Sequence, residues 1–132
     1  MSWQVWRPSE MSAALDAARA AGAQALLMLS SPLTRNASQQ VADFTVRHRL
    51  PAISPFRAFP DAGGLVRYGP DLDYFFARTA DFANKILRGT NVGELPIEQP
   101  AKFELAVDAN AARTLNVTVP PTVLIRANEV IS

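Results

Sequence analysis

Cysteine is absent from this 132-residue chain, which excludes disulfides, thiolate metal sites and a cysteine nucleophile. It leaves the compartment open, because a secreted protein need not carry disulfides. Histidine occurs once, as His48, so His-rich metal sites and most catalytic triads are out of reach. No stretch approaches the ~18 consecutive apolar residues of a membrane helix. A surplus of one charge is missing too: 13 Lys+Arg stand against 12 Asp+Glu, net +1, and the 11 arginines are scattered. Nucleic-acid or anionic-membrane surfaces show a basic stripe instead. Met1–Pro8 (MSWQVWRP) lacks a basic segment followed by an apolar run of ~7–15 residues, so the sequence as written predicts no export signal.

What is present is apolar material, 48% of residues against 19% charged. That suffices for one core and, at this length, one domain of α/β type. Trp3–Trp6 reads as a short strand stopped by Pro8, with Ser9 as helix cap. Met11, Ala14, Leu15, Ala18 and Ala21 follow at helical spacing, and Gly22 ends the helix. Ala25–Leu29 (ALLML) is a continuous apolar run, the pattern of a parallel strand buried on both faces. Asn36 and Gln39 resemble a capping box ahead of a helix through Val41, Phe44 and His48. Leu50–Ser54 is a second strand, Phe56–Asp61 a loop, Gly63-Gly64 a joint and Leu65–Tyr68 a third strand. Alternation of helices and strands with short links predicts right-handed crossovers and a parallel sheet.

The longest predicted helix is Leu72–Arg88. Leu72, Phe75, Phe76, Thr79, Phe82, Ala83, Ile86 and Leu87 form an unbroken stripe, with Asp71 and Asp73 at its start and Gly89 beyond its end. Leaving such a stripe wet forgoes ~1.5–3 kcal/mol per large side chain, so a large apolar surface is expected over it. Lys102–Asp108 alternates as a strand, Asn110–Leu115 is a short helix, and Pro120-Pro121 opens a last helix along Leu124, Ala127 and Ile131.

The candidate functional residues follow the strands, because ligands of parallel sheets bind beyond the strands' carboxyl ends. Ser30 and Ser31 offer hydroxyls to a polar ligand group, or simply terminate a strand. No G-x-S-x-G surrounds them and no base is in sight, which argues against a nucleophile. Phe56, Arg57, Tyr68 and Asp71 would suit a small zwitterion, its anion on Arg57, its cation on Asp71 and its apolar part on the rings. Asp71 reads first as a helix cap, although a cap can also touch ligand, and Arg57 also reads as a solvated loop charge. Asp71 and Asp73 face different directions on a helix and make no catalytic pair. Gly63-Gly64 is no phosphate loop, since no Lys-Ser/Thr follows and G-x-G-x-x-G is absent. His48, at a helix end, reads as a surface or dipole-paired histidine. No constellation of an enzyme site is present and none calls for a cofactor or metal.

Four blocks in order carry a family resemblance: AGAQALLMLSSPL (21–33), RHRLPAISPFRAFPDAGGLVRYGPDL (47–72), ANKILRG (83–89) and LPIEQPAKFELAVDANAARTLNVTVPPTVLIRANEVI (95–131). Together they resemble the C-terminal half of ABC-transporter substrate-binding proteins, in the group that includes tryptophan- and tyrosine-type binders. The resemblance implies a three-layer parallel-sheet lobe of a type I periplasmic binding protein, with a returning long helix and a C-terminal strand-helix tail. It implies residues 1–70 as the second lobe and 71–132 as the long helix, crossing strand and C-terminal helix. Ser30, Ser31, Phe56, Arg57, Tyr68 and Asp71 would then rim the ligand cleft. A small solute, an ABC permease and the periplasm are implied as ligand, partner and location; with Met1 as the true start, the chain would be cytoplasmic. Family members are roughly twice this length, so the stripe of Leu72, Phe75, Phe76, Phe82 and Ile86 is expected to drive self-association. Two alternatives are a non-binding interaction module that self-associates through that helix, and a flavodoxin-like enzyme or regulator. The missing phosphate loop and acidic cluster argue against the last.

Overall fold

The computed structural model of the chain describes residues 1–99 and 101–132. It divides into two units, Met1–Gly69 with Leu105–Ser132, and Pro70–Glu104. In chain order the elements are α1 (Met11–Ala20), β1 (Leu26–Leu27), α2 (Pro32–Asn36), α3 (Ser38–His48), β2 (Ala52–Ser54), α4 (Ala58–Asp61) and β3 (Val66–Pro70). They continue with α5 (Leu72–Leu87), β4 (Phe103–Asp108), α6 (Ala109–Leu115), α7 (Pro121–Leu124) and β5 (Glu129–Ile131). Five strands form one sheet in the order β1-β2-β3-β4-β5, mostly parallel, with helices on both sides. The pairs β1–β2, β2–β3 and β4–β5 are parallel. β3 and β4 run antiparallel: the Asp108 N–H donates to Leu65 O (2.9 Å) and the Asp71 N–H to Lys102 O (3.0 Å), so each strand's end lies beside the other's start.

The core of the first unit joins α1, α3, β1, β2 and α4. Met11, Leu15, Met28, Val41, Ala42, Ala52 and Phe59 pack as one buried cluster. Phe59 is the largest fully buried side chain, yet it lies in the segment expected as a loop. Phe56–Asp61 instead contains the one-turn helix α4, which turns Phe59 and Pro60 inward. A second cluster, Leu65, Ala111, Ala112 and Leu115, is extended by Val66, Val117 and Val119. Asp108 starts α6 by accepting from the N–H groups of Asn110 (2.7 Å) and Ala111 (2.9 Å).

Several expectations are corrected. Trp3–Trp6 forms no strand, because a strand needs a hydrogen-bonded neighbour and none is supplied there. Ser9 lies inside a 3-10 turn, Pro8–Glu10, and Glu10 folds back to accept from the N–H groups of Trp6 (2.9 Å) and Arg7 (3.2 Å). β1 is not buried on both faces: it is a sheet edge, and Leu27 and Leu29 are 69% and 72% exposed. α3 begins at Ser38 after Ala37, which makes no side-chain cap, so the Asn36–Gln39 capping box does not form. The last predicted helix stops at Leu124, and Glu129–Ile131 pairs in parallel with β4 as β5. Near the end, three-residue strand and helix patterns cannot be told apart by periodicity.

The second unit is built on α5, whose predicted span is reproduced to one residue. Gly89 beyond its end takes φ +96°, a conformation that costs glycine nothing. Not one residue of α5 is buried, and Phe76 and Leu87 are 62% and 87% exposed. No helix among the described residues is long and apolar enough to cross a membrane.

Candidate functional site

Because β1, β2 and β3 are adjacent and parallel, their carboxyl ends open on one edge of the first unit. Ser30 and Ser31 follow β1, Phe56 and Arg57 follow β2, and Tyr68 lies in β3. The fold therefore gathers five of the six predicted residues on one rim. Asp71 follows β3 and belongs to the second unit.

Each residue has its own local support. Ser31 caps α2: its Oγ accepts from the Thr34 N–H, and its own N–H donates to Thr34 Oγ1, both at 3.1 Å. Thr34 Oγ1 donates in turn to Leu29 O at 2.7 Å, so the turn after β1 is tied at three points. Ser30 is exposed beside this turn. Phe56 is only 9% exposed; it forms wall rather than an open face. Its N–H donates to Oγ of the fully buried Ser54 (3.2 Å). Tyr68 is 55% exposed and presents its ring. Arg57 is neither free nor simply solvated. Its guanidinium holds Glu129 at 2.9 and 3.0 Å, with Asp61 at 3.8 Å.

Glu129, as the ion-pair partner of Arg57, is the residue of the candidate site that sequence reasoning missed. The alternation Glu129-Val130-Ile131 was the available signal, and the helical reading of the last segment hid it. The planar guanidinium of Arg57 is thus set between two carboxylates of the chain, with both terminal nitrogens on Glu129 and Nε towards Asp61.

Asp71 acts as the N-cap of α5, accepting from the Tyr74 N–H at 3.1 Å, while Lys102 Nζ stands 2.7 Å from its other oxygen. The Lys102 hydrogen bond, then the Tyr74 N–H, holds the Asp71 carboxyl below its ordinary range, and Asp71 raises Lys102 correspondingly. A depressed carboxyl contributes stability that is present above its unfolded pKa of about 3.9 and is lost as pH falls through the folded value. The first turn of α5 is therefore expected to loosen only in strong acid. The Tyr74 amide shift in a pH titration should show its midpoint below that of an ordinary aspartate, and in Asp71→Asn this midpoint should vanish while the cap survives.

The second unit also contains an open groove of about 570 Å³ along α5, lined by Tyr74, Phe75, Phe82 and Ala101. Arg78 crosses it to Glu98 at 2.6 and 3.0 Å and to Asp81 at 2.9 Å. Arg78 lowers the Glu98 carboxyl, and Glu98 raises Arg78. The cation is neutralised within the chain, so the groove presents aromatic faces more than net charge.

In a mostly parallel α/β sheet, ligands bind beyond the carboxyl ends of the strands, where this fold places the hydroxyl, aromatic and cationic groups of the rim. The family model described as ABC transporter substrate binding protein matches residues 2–131, and the chain belongs to that family. It is a family of solute-binding proteins, not of enzymes. No curated protein matches the chain.

Solved structures agree on the fold. A conserved domain protein from Vibrio cholerae O1 biovar El Tor gives a TM-score of 0.87 at 21% identity, over 96% of this chain and 42% of that one. An ABC domain in complex with L-Trp from Streptococcus pneumoniae gives 0.86 at 18% identity, over 96% and 44%. A ligand-free, open substrate-binding protein with adhesive properties from Clostridium difficile gives 0.64 at 16%, over 100% and 44%. These are periplasmic-binding-protein folds, and the chain spans less than half the length of each.

Proposed function

We propose that the chain is a solute-binding lobe of an ABC-type importer, holding a small polar or amino-acid-like ligand at the carboxyl ends of β1, β2 and β3. The observation that carries this reading is the family match over residues 2–131 on a fold that brings Ser30, Ser31, Phe56, Arg57 and Tyr68 to one rim. Serine hydroxyls exchange hydrogen bonds with the ligand's polar end, Tyr68 covers its apolar part, and Arg57 shares its fork between Glu129 and a ligand anion. Asp71 contributes by fixing the start of α5. The partners on this reading are a permease and its ATPase, and the location is the periplasm. The L-Trp held by the pneumococcal neighbour makes amino acids the first ligands to test. A ligand at 100 Kd adds about 2.7 kcal/mol of stability, which thermal shift reads directly. Arg57→Ala should abolish the shift given by anionic ligands, and a flat response to amino acids and small organic anions would reject the reading.

A second reading rests on α5. Because none of its residues is buried, the face of Leu72, Phe75, Phe76, Phe82 and Ile86 suits self-association as an interaction module. Light scattering on the wild-type chain and on Phe76→Lys separates the cases: mass that falls with the substitution supports it, and unchanged mass rejects it.

A further inference from the structure

Of the six candidate residues Arg57 alone is cationic, and two carboxylates of the chain already hold it. Arg57 Nη1 stands 2.9 Å from Glu129 Oε2, and Nη2 donates to Glu129 Oε1 at 3.0 Å, the bidentate pairing of a guanidinium with a carboxylate. Nε points to Asp61 at 3.8 Å. All three residues belong to the first unit, so the contact is complete within it. Local structure fixes both ends: Arg57 stands at the cap position of α4, and Glu129 opens β5 in register with Ala106 of β4. The Arg57 and Glu129 side chains are 55% and 39% exposed, and ion pairs of that exposure are weak restraints. The pair can therefore exchange partners with a ligand.

We infer that Glu129 sets the charge class of the solute bound at the rim, selecting net-neutral zwitterions over solutes of net negative charge. This rests on the binding reading of the rim and names the substrate class for it. A solute carboxylate that approaches Arg57 meets a cation whose terminal nitrogens already serve Glu129, with Asp61 beside it. It must displace Glu129 or lie next to two like charges, and either costs affinity. The ammonium of a zwitterion offsets that cost, because the same carboxylates attract it. A further negative charge on the solute has no such offset. Discrimination is a difference of affinities, and opposing the wrong solute serves it as well as attracting the right one. Glu129 acts through the guanidinium that it holds, so it is a positioning residue.

Near-isosteric amino acids that differ by one charge test this: L-glutamate against L-glutamine, and L-aspartate against L-asparagine, with dissociation constants from calorimetry. The wild-type chain should bind the amides about tenfold more tightly than the acids. Glu129→Gln keeps the shape of the side chain and removes its charge, and it should bring that ratio to about one. A substitution that merely disturbs β5 weakens both members of a pair alike and leaves the ratio where it was. In the Arg57→Ala background Glu129→Gln should move the ratio less than about twofold, because the cation it releases is gone. A wild-type preference for the acids, or a ratio unmoved by Glu129→Gln while the amides still bind, overturns this inference alone. So does an equal shift in the Arg57→Ala background, which would assign the effect to charge acting at a distance. Binding of none of the four by any of these chains overturns it together with the amino-acid form of the binding reading.

Discussion

Phe59→Ala is expected to lower stability by about 3–5 kcal/mol, measured by urea or thermal unfolding. The ring is fully buried in the cluster that α1, α3 and β2 form with Met28, just beyond β1, so its loss opens a cavity in that core. A domain of this kind is stable by only about 5–15 kcal/mol, and the variant should be near the edge of folding at 37 °C. Gly64 lies against the ring so closely that a Cβ there would stand 2.5 Å from Phe59 Cζ and nearer still to Cε1 and Cδ1. Gly64→Ala alone is therefore destabilising, since a buried ring has nowhere to go. In the double variant the new methyl enters the volume the ring vacated, so the two losses should be clearly sub-additive. Strict additivity, or a single-variant loss below about 1 kcal/mol, would show that Phe59 is not the centre of this core.

Gly69→Ala has the second largest expected effect, for a different reason. Its Cβ would stand 2.9 Å from Pro55 Cα, 3.0 Å from the Pro55 carbonyl carbon, and closer still to the carbonyl oxygen. These are main-chain atoms, which cannot rotate away as a side chain end can. Relief requires β3 to separate from the turn after β2, at about 1–3 kcal/mol or more. That turn carries Phe56 and Arg57, so the substitution should also displace the proposed rim and weaken any ligand-induced thermal shift. Gly22→Ala is the control: nothing lies within 4 Å of its Cβ, and its φ of +76° leaves only a conformational penalty of about 1–2 kcal/mol. Gly69→Ala proving no more harmful than Gly22→Ala, with ligand response intact, would refute the close approach.

The candidate site was legible in part. Serines, Phe56-Arg57 and Tyr68 were marked by their place after apolar runs, and the parallel topology brought them to one edge as the βα alternation implied. The state of each group was not legible. That Arg57 is held by Glu129 depends on β5 lying alongside β4, a pairing across 20 or more residues that no local pattern announces. Phe56 passed for an open aromatic face because exposure is a property of packing. Asp71 could be read as cap or ligand until Lys102, 31 positions away, was found on its second oxygen.

By itself the sequence determined what depends on neighbours within a few positions: the α5 span from its 3.6-residue stripe and Asp71 cap, the breaks at proline and glycine, the βα order, and the exclusion of thiol, histidine-cluster and phosphate-loop chemistry. Tertiary structure decided what depends on partners distant in the chain. It made ALLML an edge rather than a buried strand, left Trp3–Trp6 unpaired, curled a one-turn helix to bury Phe59, and turned the last segment into a strand. Periodicity records which face of an element is apolar, whereas only the arrangement of the other elements says whether anything lies against that face.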